Sequence, residues 1–219
     1  MSEPAVIDYF TDVLCVWAWI AQRRTEELES TWGDQVDLRY RYVNVFGDTK
    51  SRIGDGWANR GGYEGFRDHV VESAAPYDNA TVNTDVWSKV RPATSANAHL
   101  VLCATSQIVS PEAAIKLATQ IRHAFFVEAR NIGDLAVLDE IVKDAGLDSD
   151  GIRQALNDGR AAAALMNDYQ RAVASNITGS PSWVLNEGRQ TLYGNVGYHV
   201  LNANVEGLLA GHSTDASWC

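Results

Sequence analysis

The chain has 219 residues, 46% of them hydrophobic and 21% charged, a balance typical of a globular protein with a sizeable core. The formal net charge of −10 argues against nucleic acid or an anionic membrane surface as a partner, because both require a basic surface. No segment approaches 18 uninterrupted apolar residues, and the N-terminus lacks the basic region of a signal peptide. We therefore expect a cytoplasmic protein without a membrane span.

The first forty residues predict a strand, a helix and a second strand. Residues 5–11 are largely apolar, as in a strand buried in a parallel sheet, and residues 16–32 are predicted to be helical. Residues 36–43 alternate between apolar and charged positions, which predicts a strand with one buried face. Such an order is expected to form a right-handed βαβ unit.

Helices are predicted to dominate the middle of the chain. Residues 44–65 are polar and rich in glycine, so we expect a long loop there, with a short helix beginning near Tyr63. Helical periodicity then extends over about 94–174. Within it, several helix starts carry a capping residue before an apolar face: Ser110, Asp134, and Asp148 or Ser149.

The end of the chain returns to strands. Residues 182–185 and 190–193 flank the turn signal at 186–189, which predicts a β-hairpin. A last helix is expected at about 197–210. The predicted order is therefore βαβ, then helices, then ββα, which indicates an α/β fold with a helical segment between its two halves.

Cys15 lies between the first predicted strand and the first predicted helix. Unpaired backbone N–H groups and the positive end of the helix dipole favour a thiolate at this position. The placement is that of a Cys-x-x-Cys redox motif, but the second position here is Ala18. We predict that Cys15 is a nucleophile toward disulfide sulfur, with a pKa below the ordinary thiol value of about 8.5. The alternative is a cysteine buried as a small hydrophobic residue.

The remaining cysteines and two of the histidines, His99 and His123, give weaker evidence for a functional site. Cys103 lies in an apolar helical run and is expected to pack in the core, whereas Cys219 is expected to be an exposed thiol for which a resolving role stays open. His99 and His123 belong to no cluster with metal-ligand spacing, so we predict no metal site.

Four stretches of the chain together resemble the DsbA-like branch of the thioredoxin superfamily. This branch includes the bacterial disulfide oxidoreductases, the 2-hydroxychromene-2-carboxylate isomerases and the kappa-class glutathione transferases. The stretches are Asp12-Val13-Leu14-Cys15-Val16-Trp17-Ala18-Trp19-Ile20, Pro92-Ala93-Thr94-Ser95-Ala96-Asn97-Ala98-His99, Phe126-Val127-Glu128-Ala129-Arg130-Asn131-Ile132-Gly133-Asp134 and Ile177-Thr178-Gly179-Ser180-Pro181-Ser182-Trp183.

The resemblance implies a thioredoxin fold interrupted by a helical insertion domain. The thioredoxin-like domain would comprise residues 1–48 and 176–219, and the insertion residues 49–175. It also implies a cis peptide bond between Ser180 and Pro181, beside the Cys15 thiol, where a substrate can pair with the exposed backbone.

The resemblance further implies a set of residues around Cys15 that bind substrate or glutathione. They are Trp17, Ala18, Asn97, Ser180 and Pro181. Two features depart from the family pattern. Ala18 replaces the second cysteine, so that this motif cannot form an intramolecular disulfide. Gly194-Asn195 is not followed by the Asp-Arg pair that helps the isomerases to hold glutathione.

These features predict a DsbA-like thiol–disulfide oxidoreductase that acts as a monothiol through Cys15. A small thiol such as glutathione would resolve the mixed disulfide, as a co-substrate and not as a bound cofactor. A second hypothesis is a glutathione-dependent isomerase or transferase acting on a small organic compound. A third is a non-catalytic binding module on the thioredoxin scaffold. The expected partner is a small thiol or disulfide, and a homodimer is an allowed assembly.

Overall fold

A computed structural model of the chain describes residues 4–211. The four strands are β1 (Ala5–Thr11), β2 (Val36–Tyr42), β3 (Ser182–Leu185) and β4 (Gln190–Tyr193). The α-helices are α1 (Val16–Trp32), α2 (Gly62–Ala74), α3 (Ala96–Ile108), α4 (Pro111–Phe126), α5 (Leu135–Asp144), α6 (Ser149–Asn157), α7 (Arg160–Ala174) and α8 (Tyr198–Leu209). No helix in this part of the chain is long and apolar enough to span a membrane.

The strands form one mixed sheet in the order β2-β1-β3-β4. The pairing of β1 with β2 is parallel, and β3 pairs antiparallel with both β1 and β4. The first βαβ unit and the later hairpin therefore share one sheet, which confirms the predicted thioredoxin arrangement. Helices α2 to α7 lie between β2 and β3 in the chain and form the helical insertion, whose domain boundaries stay a prediction.

Capping side chains begin three of the inserted helices, as predicted. Ser110 accepts a hydrogen bond from the backbone N–H of Ala113 at the start of α4. Asp134 caps α5, and Asp148 rather than Ser149 caps α6. Each side chain satisfies an N–H group that the first turn of a helix leaves without an intrahelical partner.

The segment predicted as a long loop contains more helix than expected. One irregular helical turn covers Lys50–Asp55, and α2 extends over 13 residues. The apolar side chains of Phe66, Val70 and Ala74 recur every four residues and are buried, so packing of this face stabilises a helix despite the surrounding glycines.

Arg122 of α4 joins the helical segment to the thioredoxin part of the fold. Its side chain is fully buried and donates to Gln22 Oε1 on α1 and to Thr11 Oγ1 on β1, each at 2.8 Å. Within residues 4–211, no carboxylate lies within 4.0 Å of this guanidinium. Two neutral oxygens therefore accept from a buried cation at the junction of three elements, while its Nε has no hydrogen-bond partner among the described residues.

Candidate active site

Cys15 occupies the N-cap of α1, at the end of a tight turn that follows β1. Its backbone is extended, with φ −82° and ψ 118°, and its N–H donates to the carbonyl of Asp12 at 3.1 Å. Only 6% of the residue is exposed. The predicted position at a helix N-terminus is confirmed, but the thiol is much less accessible than the sequence indicates.

The chain before β3 covers the Cys15 thiol. The Ser180–Pro181 peptide bond is cis, as predicted, and the Cys15 Sγ donates to the Ser180 carbonyl oxygen at 3.1 Å. The Ser180 hydroxyl accepts from the backbone N–H of Asp12 at 2.9 Å. Cys15 and Ser180 are 165 positions apart in the sequence, and the fold brings them together at the end of β1.

Burial raises the pKa of the Cys15 thiol above its ordinary value. A hydrogen bond with the Ser180 side chain and the N–H groups of Ala18 and Trp17 lower this pKa, and the negative charge of Asp12 raises it further. Because the cost of removing the thiolate from water exceeds the gain from these donors, the prediction of a depressed pKa is wrong. At neutral pH the thiol is protonated and donates to a carbonyl.

The carboxylate of Asp12 joins three segments of the chain beneath Cys15 through four hydrogen bonds. It is fully buried. Its Oδ1 accepts from Leu14 N at 3.0 Å, and its Oδ2 accepts from Val45 N at 3.2 Å and Phe46 N at 2.9 Å. The hydroxyl of Ser95 also donates to Oδ2, at 2.9 Å. Asp12 therefore positions the turn that carries the thiol against the loop after β2 and the start of α3.

His99 packs beside this carboxylate in its neutral form. Its Nε2 accepts from the backbone N–H of Val13 at 3.3 Å and lies 3.7 Å from Asp12 Oδ1. Its ring stacks on Tyr42 with centroids 4.8 Å apart. Desolvation lowers the pKa of His99 to about 4, although the Asp12 charge raises it. His99 is thus a fully buried residue of α3, in the helical part of the chain.

We expect the buried His99 to make the protein less stable as the pH falls. The unfolded chain, with a histidine pKa of about 6.5, binds a proton before the folded chain does. The free energy of unfolding should therefore fall by about 3 kcal/mol between pH 7 and pH 4 through this group alone. Urea unfolding at both pH values, compared between wild type and His99→Gln, measures this contribution. An equal loss in both proteins would contradict it, and the exposed His123→Gln variant is the control.

The other residues predicted around Cys15 have different surroundings. Trp17 is half-buried against the large core, and Ala18 is fully buried. Asn97, on the first turn of α3, donates its side-chain amide to the Gly133 carbonyl at 2.8 Å. Of the predicted binding residues, Ser180 accepts a hydrogen bond from the thiol, and Trp17 and Ala18 direct their backbone N–H groups toward it. A role in binding substrate or glutathione stays a prediction for all five.

The second described cysteine is a core residue. Cys103 is 5% exposed in α3, and desolvation raises the pKa of its thiol. Cys15 and Cys103 are both free, so residues 4–211 contain no disulfide. No group of three or more potential metal ligands occurs in that same range. Cys219 lies outside the described residues.

Sequence reasoning missed the structural role of Asp12 and Ser95. Both residues lie in stretches that carry the family resemblance, but no local pattern assigns them a role. The available signal was Asp12 itself, a charged residue between the apolar strand β1 and Val13-Leu14: a polar side chain buried in such a setting requires hydrogen-bond partners.

Comparisons with known proteins agree with this geometry. A family model described as a DSBA-like thioredoxin domain matches residues 6–206. A structure from Nitrosomonas europaea, provisionally described as a protein disulfide isomerase, has a TM-score of 0.79 at 17% identity and covers 96% of this chain and 100% of its own. The cytosolic disulfide reductase DsbM from Pseudomonas aeruginosa with GSH has a TM-score of 0.70 at 18% identity, covering 94% and 99%. A 2-hydroxychromene-2-carboxylate isomerase has a TM-score of 0.64 at 15% identity, covering 95% of this chain and 98% of its own. No curated protein matches the chain.

Proposed function

Because this chain belongs to the family of DSBA-like thioredoxin domains, we propose that it catalyses thiol–disulfide exchange with Cys15 as its single reactive thiol. The family contains thiol oxidoreductases and isomerases. The finer proposal is that glutathione, or a similar small thiol, resolves the mixed disulfide formed at Cys15.

One observation carries the proposal: the Cys15 sulfur lies 3.1 Å from the Ser180 carbonyl at the start of α1, and the residue one turn later is Ala18. The half-buried backbone at Ser180 can pair with the backbone of a substrate, as an added strand does. Without a second thiol at position 18, the motif itself cannot resolve a disulfide formed by Cys15, whereas a small thiol from solution can.

The exchange proceeds in two balanced steps. In the first, the Cys15 thiolate attacks the glutathionyl sulfur of a mixed disulfide between substrate and glutathione. The S–S bond between substrate and glutathione breaks, and a bond between Cys15 and glutathione forms. The substrate leaves as a thiolate and takes up the proton that Cys15 has lost. In the second, a glutathione thiolate attacks that same glutathionyl sulfur, and Cys15 leaves and regains its proton. The net reaction reduces one mixed disulfide and converts two glutathionyl groups into oxidised glutathione.

The raised pKa of Cys15 sets the expected kinetics. Few molecules carry the thiolate at neutral pH, but each thiolate is a strong nucleophile, because nucleophilicity rises with pKa. A thiol of high pKa is also a poor leaving group, so the mixed disulfide with glutathione should persist. We therefore expect slow adduct formation that accelerates as the pH rises, and an adduct that lasts long enough to be detected.

A specific observation favours a glutathione-dependent isomerase or transferase as the second candidate. The Cys15 thiol is protonated and already donates a hydrogen bond, to Ser180. Such a donor could stabilise the thiolate of a bound glutathione, which would then attack a small electrophile. In this case Cys15 never becomes covalently modified, and Cys15→Ser retains part of the activity because serine also donates.

The remaining expectations belong to this proposal. Trp17 and Asn97 would border the bound substrate, and a small thiol or disulfide would be the partner. The compartment would be the cytoplasm, where reduced glutathione keeps thiols reduced. We also propose that the thioredoxin-like domain comprises residues 1–48 and 176–219, and that the protein forms a homodimer.

Mass spectrometry after incubation with oxidised glutathione tests the proposal. We expect one glutathionyl group on Cys15, located by peptide mapping, at a rate that rises with pH up to and beyond 9 because the pKa of the thiol is raised. Cys15→Ser should lose this adduct and at least a hundredfold of the exchange rate, since it removes the nucleophile.

The outcomes separate the three hypotheses. An adduct confined to Cys103 or Cys219 would contradict the thiol–disulfide proposal. Glutathione-dependent conversion of an organic electrophile without an adduct at Cys15 would favour the isomerase or transferase. If Cys15 neither reacts nor supports such a conversion, the binding module remains.

A further inference from the structure

Three side chains from distant parts of the chain meet near the end of β4. The guanidinium of Arg24 on α1 donates from Nη1 to Asn195 Oδ1 at 2.6 Å. The Asn195 amide donates in turn to the hydroxyl oxygen of Tyr77 at 2.7 Å. The Arg24 Cζ also lies 5.9 Å from the centroid of the Tyr77 ring. We call these three residues the Arg24 cluster.

The cationic group of this cluster has no acidic partner in the described chain. Within residues 4–211, no carboxylate lies within 4.0 Å of Arg24, whereas its neighbour Arg23 pairs with Asp78 at 3.3 Å. Arg24 is half-buried, and the side chain that accepts from it is the amide of Asn195. Four of its five N–H donors are left for another acceptor.

The Arg24 cluster is connected to the Cys15 thiol through the backbone. Asn195 follows Gly194, whose N–H donates to the Pro181 carbonyl at 2.9 Å. Pro181 follows Ser180, whose carbonyl oxygen accepts from Cys15 Sγ. The side chain of Arg24 also tilts back along α1 toward its N-terminus, as helical side chains do. The cluster and the thiol therefore lie at the same end of the sheet.

Arg24 and its two partners suit a carboxylate. Guanidinium binds carboxylate through two parallel N–H···O bonds. The Tyr77 hydroxyl already accepts from Asn195, so its own proton is available to a second oxygen. The amide of Asn195 accepts one hydrogen bond from the guanidinium. The other N–H groups of the guanidinium stay available for a carboxylate.

We propose that the Arg24 cluster binds a carboxylate of the small thiol or disulfide that reacts at Cys15. The ligand class is a small peptide-like thiol that carries a carboxylate, and glutathione belongs to this class. The inference rests on the proposed function, because it assigns the specificity of that same site. It predicts that charge on the ligand, and not only its sulfur chemistry, determines the rate.

Adduct formation at Cys15 with two disulfides tests the proposal. Oxidised glutathione carries carboxylates, whereas hydroxyethyl disulfide carries no charge. Arg24→Gln should slow the reaction with oxidised glutathione about tenfold, the effect of losing one charge-assisted hydrogen-bonded pair, and should change the reaction with hydroxyethyl disulfide less than twofold. Arg23→Gln, one position away, is the matched control and should change neither.

A binding measurement makes the result independent of Cys15 chemistry. S-methylglutathione cannot exchange, and calorimetric titration should give an affinity about tenfold weaker for Arg24→Gln than for wild type. Equal affinities, or equal slowing with both disulfides, would overturn the inference while leaving the thiol–disulfide proposal standing. Conversely, Arg24-dependent binding without any adduct at Cys15 would support the carboxylate site and reject the proposed exchange reaction.

Discussion

Replacing Asp12 by alanine should lower the free energy of unfolding by about 3–5 kcal/mol, the largest effect expected of any single substitution near the site. The variant leaves the N–H groups of Leu14, Val45 and Phe46 and the hydroxyl of Ser95 without their acceptor. A buried donor without a partner costs about 1–3 kcal/mol. Relaxation of the loops recovers part of the sum. Urea unfolding at pH 7 measures the effect.

Variants that remove one or several of these hydrogen bonds show whether the bonds account for the stability lost in Asp12→Ala. Ser95→Ala removes one of the four donors and should cost about 1 kcal/mol. Asp12→Asn keeps one carbonyl oxygen and should fall between Ser95→Ala and Asp12→Ala. Asp37→Ala breaks an ion pair with Arg39 on the surface and should cost less than about 1 kcal/mol. If Asp12→Ala were as stable as Asp37→Ala, the central role of this carboxylate would be refuted.

Ala18→Cys should convert the site from a single thiol into a dithiol. Position 18 lies in the first turn of α1, where its N–H donates to the Cys15 carbonyl at 3.1 Å. A cysteine there can attack the mixed disulfide between Cys15 and glutathione, form an intramolecular disulfide and release the second glutathione. Its thiol can also donate to the Cys15 thiolate and so lower the pKa of Cys15. The expected product is an oxidised protein without bound glutathione.

Mass spectrometry after oxidised glutathione distinguishes the two products. Wild type should retain one glutathionyl group, and Ala18→Cys should lose two hydrogens and retain none. Ala18→Ser is the matched control: it adds a polar atom at the same buried position but cannot form a disulfide, so its adduct should persist. A stable glutathione adduct on Cys15 in Ala18→Cys would show that position 18 cannot reach the thiol.

Local patterns in the sequence predicted most of the fold. Strand alternation at 36–43, the caps at Ser110 and Asp134 and the turn at 186–189 each depend on residues within one turn or one hairpin. The sheet order followed from the βαβ and ββα sequence of elements together with the family resemblance. The 13-residue helix α2 was underestimated because its glycines concealed an apolar face.

The chemistry of the site depends on contacts that no local pattern contains. The burial of Cys15 depends on Ser180, 165 positions away, and the four bonds of Asp12 include one to Ser95, 83 positions away. A helix N-terminus alone favours the thiolate, so the sequence indicated a lowered pKa. Desolvation by distant segments makes the pKa shift of Cys15 positive instead of negative. The extent of this desolvation follows only from the assembled fold.

The position of Arg122 bears on how this protein could have been assembled from parts. An inserted segment that makes no buried polar contacts with the rest of the fold, the host domain, can be deleted or exchanged between relatives. Its removal leaves no polar group of the host domain without a hydrogen-bond partner. Here a buried cation of the inserted helices donates, within residues 4–211, to Thr11 and Gln22 of the thioredoxin part, and Ser95 at the start of α3 donates to Asp12 of that part. Excising the helices would leave orphaned polar groups on both sides. The two parts of the chain should therefore melt in a single transition and be inherited as a single unit.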